Sequence, residues 1–253
     1  MLVQSTQQAT YVNFQVTREG PVTTVQLNRP EKRNPINEAM TGELHDILDK
    51  LRDEAECRLV IVTGSGAAFC AGADLSRLKG IADPAERQKA FTATRGQRTT
   101  KLRDALNKLE TLEQVTIAAI NGFAIGGGWH MAMCCDFRFA APEAQFWLPE
   151  LDLGNPINAA AYARLVRAVG VMRAREFVMT CNHYTAQELM GYGILTRVVP
   201  KEHLMAEVRA FADKLLSKNA DGLALAKAMA LSLELSMRPR LKIMPPKGFL
   251  SEF

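Results

Sequence analysis

Short runs that are apolar throughout alternate along the chain with longer stretches in which apolar residues recur every three or four positions. The former mark buried strands and the latter amphipathic helices. Residues 11–30, "YVNFQVTREGPVTTVQLNRP", predict two strands around a Glu-Gly-Pro turn, the second alternating with a period near two. Residues 36–53 predict a helix with Met40, Leu44, Ile47, Leu48 and Leu51 on one face. "RLVIVTG" (58–64) is nearly all apolar, the pattern of a strand covered on both faces. The opening unit is β-β-α-β.

A Gly/Ala-rich turn, "SGAAFCAGADLSRLKGI", then leads toward a helix. Residues 81–100 are polar, with an Asp83-Pro84 step, and predict a mobile helical or loop segment. Residues 101–113 predict a helix, 115–122 a second buried strand, and about 128–134 a helix that follows a glycine run. Residues 135–154 predict strand, turn and short strand, and 159–170 and 173–181 predict helices. Thr185 and Glu188 have capping-box spacing, and "GILTRVV" predicts a last strand. Two helices follow at about 202–217 and 221–237, then a proline-interrupted basic tail that predicts an irregular or mobile arm. Alternating strands and helices with a helical C-terminal part make the class α/β.

Composition narrows the function classes. The 253 residues are 47% hydrophobic and 23% charged, which suits one large domain or one domain with a small helical appendage. The net charge of +4 gives no support for nucleic-acid binding, yet suits a protein that receives an anionic ligand. No apolar run is long enough to span a bilayer, and "MLVQSTQQATYVNF" has no signal-peptide pattern. A soluble, cytoplasmic protein is therefore expected. The five cysteines, Cys57, Cys70, Cys134, Cys135 and Cys181, form no CxxC motif and fit a reducing compartment. No His, Asp and Glu grouping has metal-ligand spacing, so no metal site is expected.

Chemistry concentrates at two places of one design, "VIVTGSGAAFCAGAD" and "IAAINGFAIGGGWH": buried strand, Gly-rich turn, helix. Glycine lets backbone N–H groups approach a ligand. Two such turns on neighbouring strands could aim two N–H donors at one oxygen. Each donor of such an oxyanion hole is worth roughly 2.7–4 kcal/mol of transition-state stabilisation. A dinucleotide fingerprint fits poorly, because "GSGAAF" has Phe69 where the third glycine belongs. The absence of G-K-S/T excludes a P-loop. Packing alone remains the alternative reading of the glycines.

The segments "LNRPEKRNPIN" (27–37), "VIVTGSGAAFCAGADL" (60–75), "TIAAINGFAIGGGWHMAMCCDFRFAAPEAQFWLPELDLG" (116–154) and "YTAQELMGYGILTRVVP" (184–200) resemble the crotonase (enoyl-CoA hydratase/isomerase) superfamily. The resemblance covers about residues 12–217. It implies a crotonase-like spiral of repeated β-β-α units over residues 1–200, with a helical region over 201–253 that is short relative to the family. It also implies an acyl-CoA thioester substrate, with the thioester oxygen between the N–H groups of Ala73 and Gly127. Coenzyme A would then be part of the substrate, and no further cofactor is expected. Lys32 and Arg33 match the part of the family that approaches the CoA nucleotide; solvated surface charge is the other reading. Ala71 and Trp147 lie in the matching segments and are expected at the substrate. The acyl pocket would be lined partly by residues 75–100. A homotrimer or dimer of trimers is the assembly implied.

Hydratases of this family carry two glutamates. Glu150, in "AQFWLPE", matches the second, but His130 stands at the position of the first. Histidine has a reference pKa near 6.5 against about 4.3 for glutamate, so it can donate or accept a proton near neutrality. Glu150 as base with His130 as assistant or water-orienting group would remain an acid/base pair. A histidine packed behind the site is the alternative. "GNPINAAAY" (154–162) replaces the family's glycine-rich helix start. Asn158 stands where related dehalogenases have a nucleophilic aspartate; asparagine is a poor nucleophile, so dehalogenation is disfavoured. Asn158 would contact a substrate hydroxyl or water, or cap a helix. The expected activity is hydration of an enoyl-CoA, with or without retro-aldol cleavage. Double-bond isomerisation, C–C hydrolysis of a β-diketone-like acyl-CoA, and non-catalytic acyl-CoA binding follow as alternatives.

Overall fold

The nearly all-apolar run at 59–64 lies in the middle of a sheet with a core on each face. In the computed structural model, which describes residues 8–93 and 95–236, this run is strand β4 (Leu59–Gly64). Antiparallel β1 (Gln8–Thr10), β2 (Phe14–Glu19) and β3 (Val22–Leu27) lie on one side of it. Parallel β6 (Val115–Ile120), β8 (Phe137–Ala140) and β11 (Arg197–Val198) lie on the other, giving the order β1-β2-β3-β4-β6-β8-β11. Val25 pairs with Val62 and Ile61 with Ile117. Because side chains alternate across a strand, Val60 and Val62 enter one core while Leu59 and Ile61 enter the other.

A second, smaller sheet has the order β10-β9-β7-β5, built from β5 (Ala68–Cys70), β7 (Phe123–Ile125), β9 (Gln145–Trp147) and β10 (Tyr184–Thr185). β4, β6 and β8 belong to the large sheet, and the strand that follows each, β5, β7 and β9, belongs to the small one. Helices follow: α2 (Pro84–Thr92) and α3 (Arg95–Glu110) after β5, α4 (Gly127–Met133) after β7, and α5 (Ala159–Thr180) after β9. This is the spiral of β-β-α units. The first core lies on the side of α1 (Glu38–Asp53), whose Met40, Leu44, Ile47, Leu48 and Leu51 are all buried. Asn37 starts α1 by accepting a hydrogen bond from the Met40 N–H at 2.8 Å. The opposite core is closed by α7 (Leu204–Leu216) through Leu204, Val208 and Ala212.

Several local expectations change. The Gly/Ala-rich turn leads to strand β5 and a 3-10 turn at Ser76–Leu78 rather than to a helix. β5 and β7 are too short to display an alternating pattern, and wholly buried Ala68, Phe69 and Cys70 define β5 by pairing with β7. The polar stretch 81–100 forms α2 and the start of α3. Asp83 caps the Ala85 N–H, Pro84 occupies the first helical turn, and Arg77 donates to the carbonyls of Ala90 and Phe91. α5 spans both predicted helices with a break at Gly170 (φ 77°, ψ 166°). Of "GILTRVV" only Arg197–Val198 is strand. The capping box of Thr185 and Glu188 opens α6 (Ala186–Gly191). α8 (Ala220–Ser236) ends the described chain, and the predicted irregular tail lies outside the described residues.

Candidate active site

β5 and β7 run parallel, so the loops that leave them emerge at the same end of the small sheet. After β5 the chain forms a single parallel bridge, Ile36 with Ala73. In it the Ile36 N–H donates to the Gly72 carbonyl at 2.7 Å, and the Asp74 N–H donates to the Ile36 carbonyl at 2.9 Å. Parallel pairing of this kind turns the intervening Ala73 N–H to the opposite side. Ala73 is exposed, and its amide donates to no acceptor among the described residues. After β7, the Gly126 N–H donates to the Trp147 carbonyl at 3.0 Å, and the Gly126 carbonyl accepts from the His130 N–H at 2.9 Å. Gly127, the first residue of α4, has no such partner among the described residues, as expected for a first-turn amide. The two loops touch: a Cβ built on Gly72 (φ 80°) would lie 2.8 Å from the Ile125 carbonyl oxygen and 3.8 Å from the Gly127 nitrogen.

The three consecutive glycines answer to three different neighbours. Gly126 has φ 47°, and its Cβ would come within 3.2 Å of Glu150 Oε1. A Cβ on Gly127 would meet Ile36 Cδ1 and Leu102 Cδ2, both at 3.2 Å. A Cβ on Gly128 would overlap Cys70, at 2.5 Å from its carbonyl oxygen and 2.8 Å from its Sγ. Close packing, weighed above as an alternative to ligand approach, is thus the role of Gly128 and compatible with approach at Gly127.

Glu150 and His130 come together on this turn. His130 Nε2 lies 3.4 Å from Glu150 Oε1, longer than a good hydrogen bond, with the side chains 12% and 22% exposed. Glu150 Oε2 is buried and has no hydrogen-bond partner among the described residues. The backbone behind Glu150 is closed by Asn155 N–H to Glu150 C=O at 2.8 Å and Leu153 N–H to Pro149 C=O at 3.0 Å. Two amides without a partner among the described residues, a carboxylate oxygen without one and an imidazole therefore lie on or beside two touching loops. Such a set can hold a carbonyl oxygen and move a proton.

The other residues singled out in the sequence have more varied surroundings. The Ala71 N–H is bonded to the Arg33 carbonyl at 2.9 Å, so its backbone supports the loop. Lys32 and Arg33 are exposed, and the Arg33 guanidinium lies over the Phe123 ring, 5.4 Å from its centroid. Trp147 stacks on His183 at 4.1 Å and meets Phe123 edge-on, while its carbonyl anchors Gly126. Asn158 caps α5, its Oδ1 accepting from the Ala160 N–H at 2.8 Å.

Two supporting groups escape sequence reading, and a third, Cys70, is buried as a small apolar residue, as its type suggests. Asn34, fully buried with φ 55°, donates to the carbonyls of Ser65 and Ala68 and accepts from the Arg29 N–H. Asparagine's tolerance of positive φ was its one available signal. Arg29 and Asp74 form a 2.8 Å ion pair that only the fold brings together. Cys70 packs under Gly128, and burial pushes its thiol up to about 12, which makes it a packing group rather than a nucleophile. Among the described residues no cluster of His, Cys, Asp or Glu could hold a metal ion, and no helix is long and apolar enough to cross a membrane.

Both the sequence and the fold resemble those of known proteins. A family model described as enoyl-CoA hydratase/isomerase matches residues 17–241. The crotonyl-CoA hydratase of Syntrophomonas wolfei is 36% identical over 221 residues, covering 87% of this chain and 82% of that protein. The short-chain-enoyl-CoA hydratase of Clostridium acetobutylicum is 32% identical, covering 85% and 79%. Among solved structures, an enoyl-CoA hydratase from Bacillus anthracis superposes with a TM-score of 0.77 at 35% identity, covering 89% of this chain and 87% of that one. A monofunctional enoyl-CoA isomerase from M. smegmatis gives 0.72 at 28% identity, covering 88% and 93%.

Proposed function

The chain belongs to the enoyl-CoA hydratase/isomerase family, and from that premise we propose that it hydrates an enoyl-CoA thioester. The thioester oxygen accepts hydrogen bonds from the Ala73 and Gly127 amides, and negative charge develops there as the double bond is attacked. Glu150 removes a proton from water while the water oxygen bonds to the β-carbon. The resulting enolate takes a proton at the α-carbon from the Glu150–His130 pair, and the product is a 3-hydroxyacyl-CoA. His130 orients the water and shares the proton. The observation that supports this reading is that two amides without a partner among the described residues sit in loops that touch, with Glu150 and His130 3.4 Å apart beside the second loop.

Lys32 and Arg33 are assigned to the CoA phosphates, and Asn158, Ala71 and Trp147 to the substrate's surroundings. No cofactor beyond the substrate's own CoA enters the proposal. A reducing compartment such as the cytoplasm suits the five buried, unpaired cysteines. Assembly as a trimer or dimer of trimers belongs to the same proposal. The exposed Leu225, Met229 and Leu233 of α8 supply apolar surface for it.

Isomerisation is the second reading, because the partner of Glu150 is an imidazole rather than a second carboxylate, and one carboxylate suffices to carry a proton between two carbons. The test mixes the purified protein with a series of enoyl-CoAs and follows loss of conjugated enoyl absorbance, with mass spectrometry of the product. Gain of one water supports hydration. An unchanged mass with a moved double bond selects isomerisation. An aldehyde adds retro-aldol cleavage. Hydrolysis confined to a β-diketone-like acyl-CoA would select C–C hydrolysis, and binding without turnover would make the chain an acyl-CoA binder.

A further inference from the structure

We propose that Arg29 positions the Ala73 amide by clasping the two segments that form the bridge at it. The inference rests on the assignment of that amide to the substrate carbonyl. Ala73 lies in a loop, and among the described residues its only sheet-like support is the bridge to Ile36. A donor to a developing oxyanion works only when held close to its productive position, and a single bridge in an exposed loop is weak support.

Arg29 reinforces that bridge from both ends. Its Nη1 donates to the Pro35 carbonyl at 2.7 Å, one residue before Ile36, and lies 2.8 Å from Asp74 Oδ2, one residue after Ala73. One guanidinium nitrogen thus joins both segments of the bridge. Asp74 is held from its other oxygen as well, with Oδ1 accepting from the Ser76 N–H at 2.9 Å. Arg29 is itself fixed, because its backbone N–H donates to Oδ1 of fully buried Asn34 at 2.8 Å. Both side chains of the pair are only 11% exposed, so water and salt screen the contact little. The structure therefore assigns this pair to the height and tilt of the Ala73 N–H.

The test compares Arg29→Met, Arg29→Lys and Asp74→Asn with the unaltered protein. The probe is the CoA thioester of 4-dimethylaminocinnamic acid, whose absorption moves to longer wavelength as its carbonyl is polarised. Arg29→Met is expected to lower kcat by about 10- to 100-fold with KM nearly unchanged. It should also lose at least half of the red shift of the saturated probe. Arg29→Lys, which keeps the charge without the planar fork, should recover part of both. A merely stabilising ion pair would lower the melting temperature and leave the red shift of the folded fraction intact, and that result overturns the proposal. If Arg29→Met does not fold, Arg29→Lys and Asp74→Asn decide by the same two readouts. Glu150→Gln should keep the full red shift without turnover. A wild-type protein that binds the probe with no red shift overturns the carbonyl-binding assignment and the clasp with it. A wild-type shift that every clasp variant retains overturns the clasp alone.

Discussion

Alanine at Gly127 and alanine at Gly128 are neighbouring, chemically identical changes, and the structure predicts opposite outcomes. Neither glycine has positive φ, so alanine fits both backbones and the contrast isolates space. At Gly127 the new methyl meets only the ends of two flexible side chains, Ile36 Cδ1 and Leu102 Cδ2, at 3.2 Å. Each can give by a few tenths of an ångström, and alanine is up to about 1 kcal/mol better than glycine in a helix. Stability should stay within about 1 kcal/mol of the parent. At Gly128 the methyl would lie 2.5 Å from a backbone carbonyl oxygen and 2.6 Å from the Cβ of Cys70. Relief to ordinary contact requires β5 and α4 to part by roughly 0.7–1 Å. Overpacking of that kind costs about 1–3 kcal/mol, offset in part by the helix preference.

That displacement also acts on the site, because β5 runs on into the Ala73 loop and α4 begins at Gly127. Moving one against the other separates the two amides, and a misplacement near 1 Å costs about 100-fold in rate. Urea unfolding and kcat/KM on an enoyl-CoA, measured on both variants, check the argument. Adding Cys70→Gly to Gly128→Ala should restore part of the loss, since it removes the Cβ and Sγ contacts and leaves the carbonyl. Equal behaviour of the two single variants, or a worse result at Gly127, would refute the steric reasoning.

Glu150→Gln should lower kcat by about 10²–10⁴-fold with binding of a saturated acyl-CoA preserved, checked by stopped turnover and calorimetry. His130→Ala should lose less than Glu150→Gln if it only orients water; if the two act as a unit, the double variant will be no worse than Glu150→Gln alone, and a kinetic double-mutant cycle reads which. Asn158→Ala removes the cap of α5 and should cost about 1 kcal/mol by denaturant unfolding, with kcat within a few-fold of the parent. Asp74 carries a pH signature. Burial opposes its ionisation, but hydrogen bonds from Ser76 and the Arg29 guanidinium outweigh it and hold the carboxyl below its ordinary value. The stability it adds is present above the ordinary aspartate pKa and is lost as pH falls through the lowered folded value. The deficit of Asp74→Asn should therefore be largest near neutrality and shrink in acid, read from urea midpoints across an acid series.

How much of this was legible in the sequence depended on the range of the interaction responsible. β4 and α1 announce themselves because burial on both faces, or on one stripe, writes a period into neighbouring residues. Thr185 and Glu188 are legible because a capping box is a local exchange of hydrogen bonds. β5 and β7 were missed because three residues cannot show a period, and each is strand only by virtue of the other. The stretch 81–100, expected as helix or loop, is helical, and what decided between the two was out of local reach: Arg77 anchors α2 from outside the segment. In the site, Gly127, His130 and Glu150 could be marked from motif, yet the 3.4 Å approach of the last two is a property of the fold. Arg29 and Asp74 lie in two of the resembling segments, but nothing marks them as partners, since an ion pair across two loops leaves no local pattern.

The same distinction explains why the reaction type is harder to read than the family. A carbonyl held by main-chain amides places its demands on the supports of those amides rather than on the residues that own them. Ala73 could bear another side chain without changing its N–H, whereas Gly128 cannot be enlarged against Cys70 and Gly72 cannot gain a Cβ beside the Ile125 carbonyl. In the proposed mechanism the glycine spacing therefore records the carbonyl-binding half of the chemistry. The proton-moving half of that mechanism hangs on two side chains that approach to 3.4 Å beside the glycine turn, and a side chain can be exchanged there with little disturbance to the backbone beneath it. An imidazole at position 130 is such an exchange. It keeps a group able to give or take a proton within reach of Glu150 while altering its shape and the direction of its nitrogens. Whether water is added or a proton is only relayed then depends on how that imidazole shares the space with the substrate. This is why variants at His130 discriminate between the activities, while enlarging Gly72 or Gly128, whose Cβ would meet backbone, is expected to weaken all of them together.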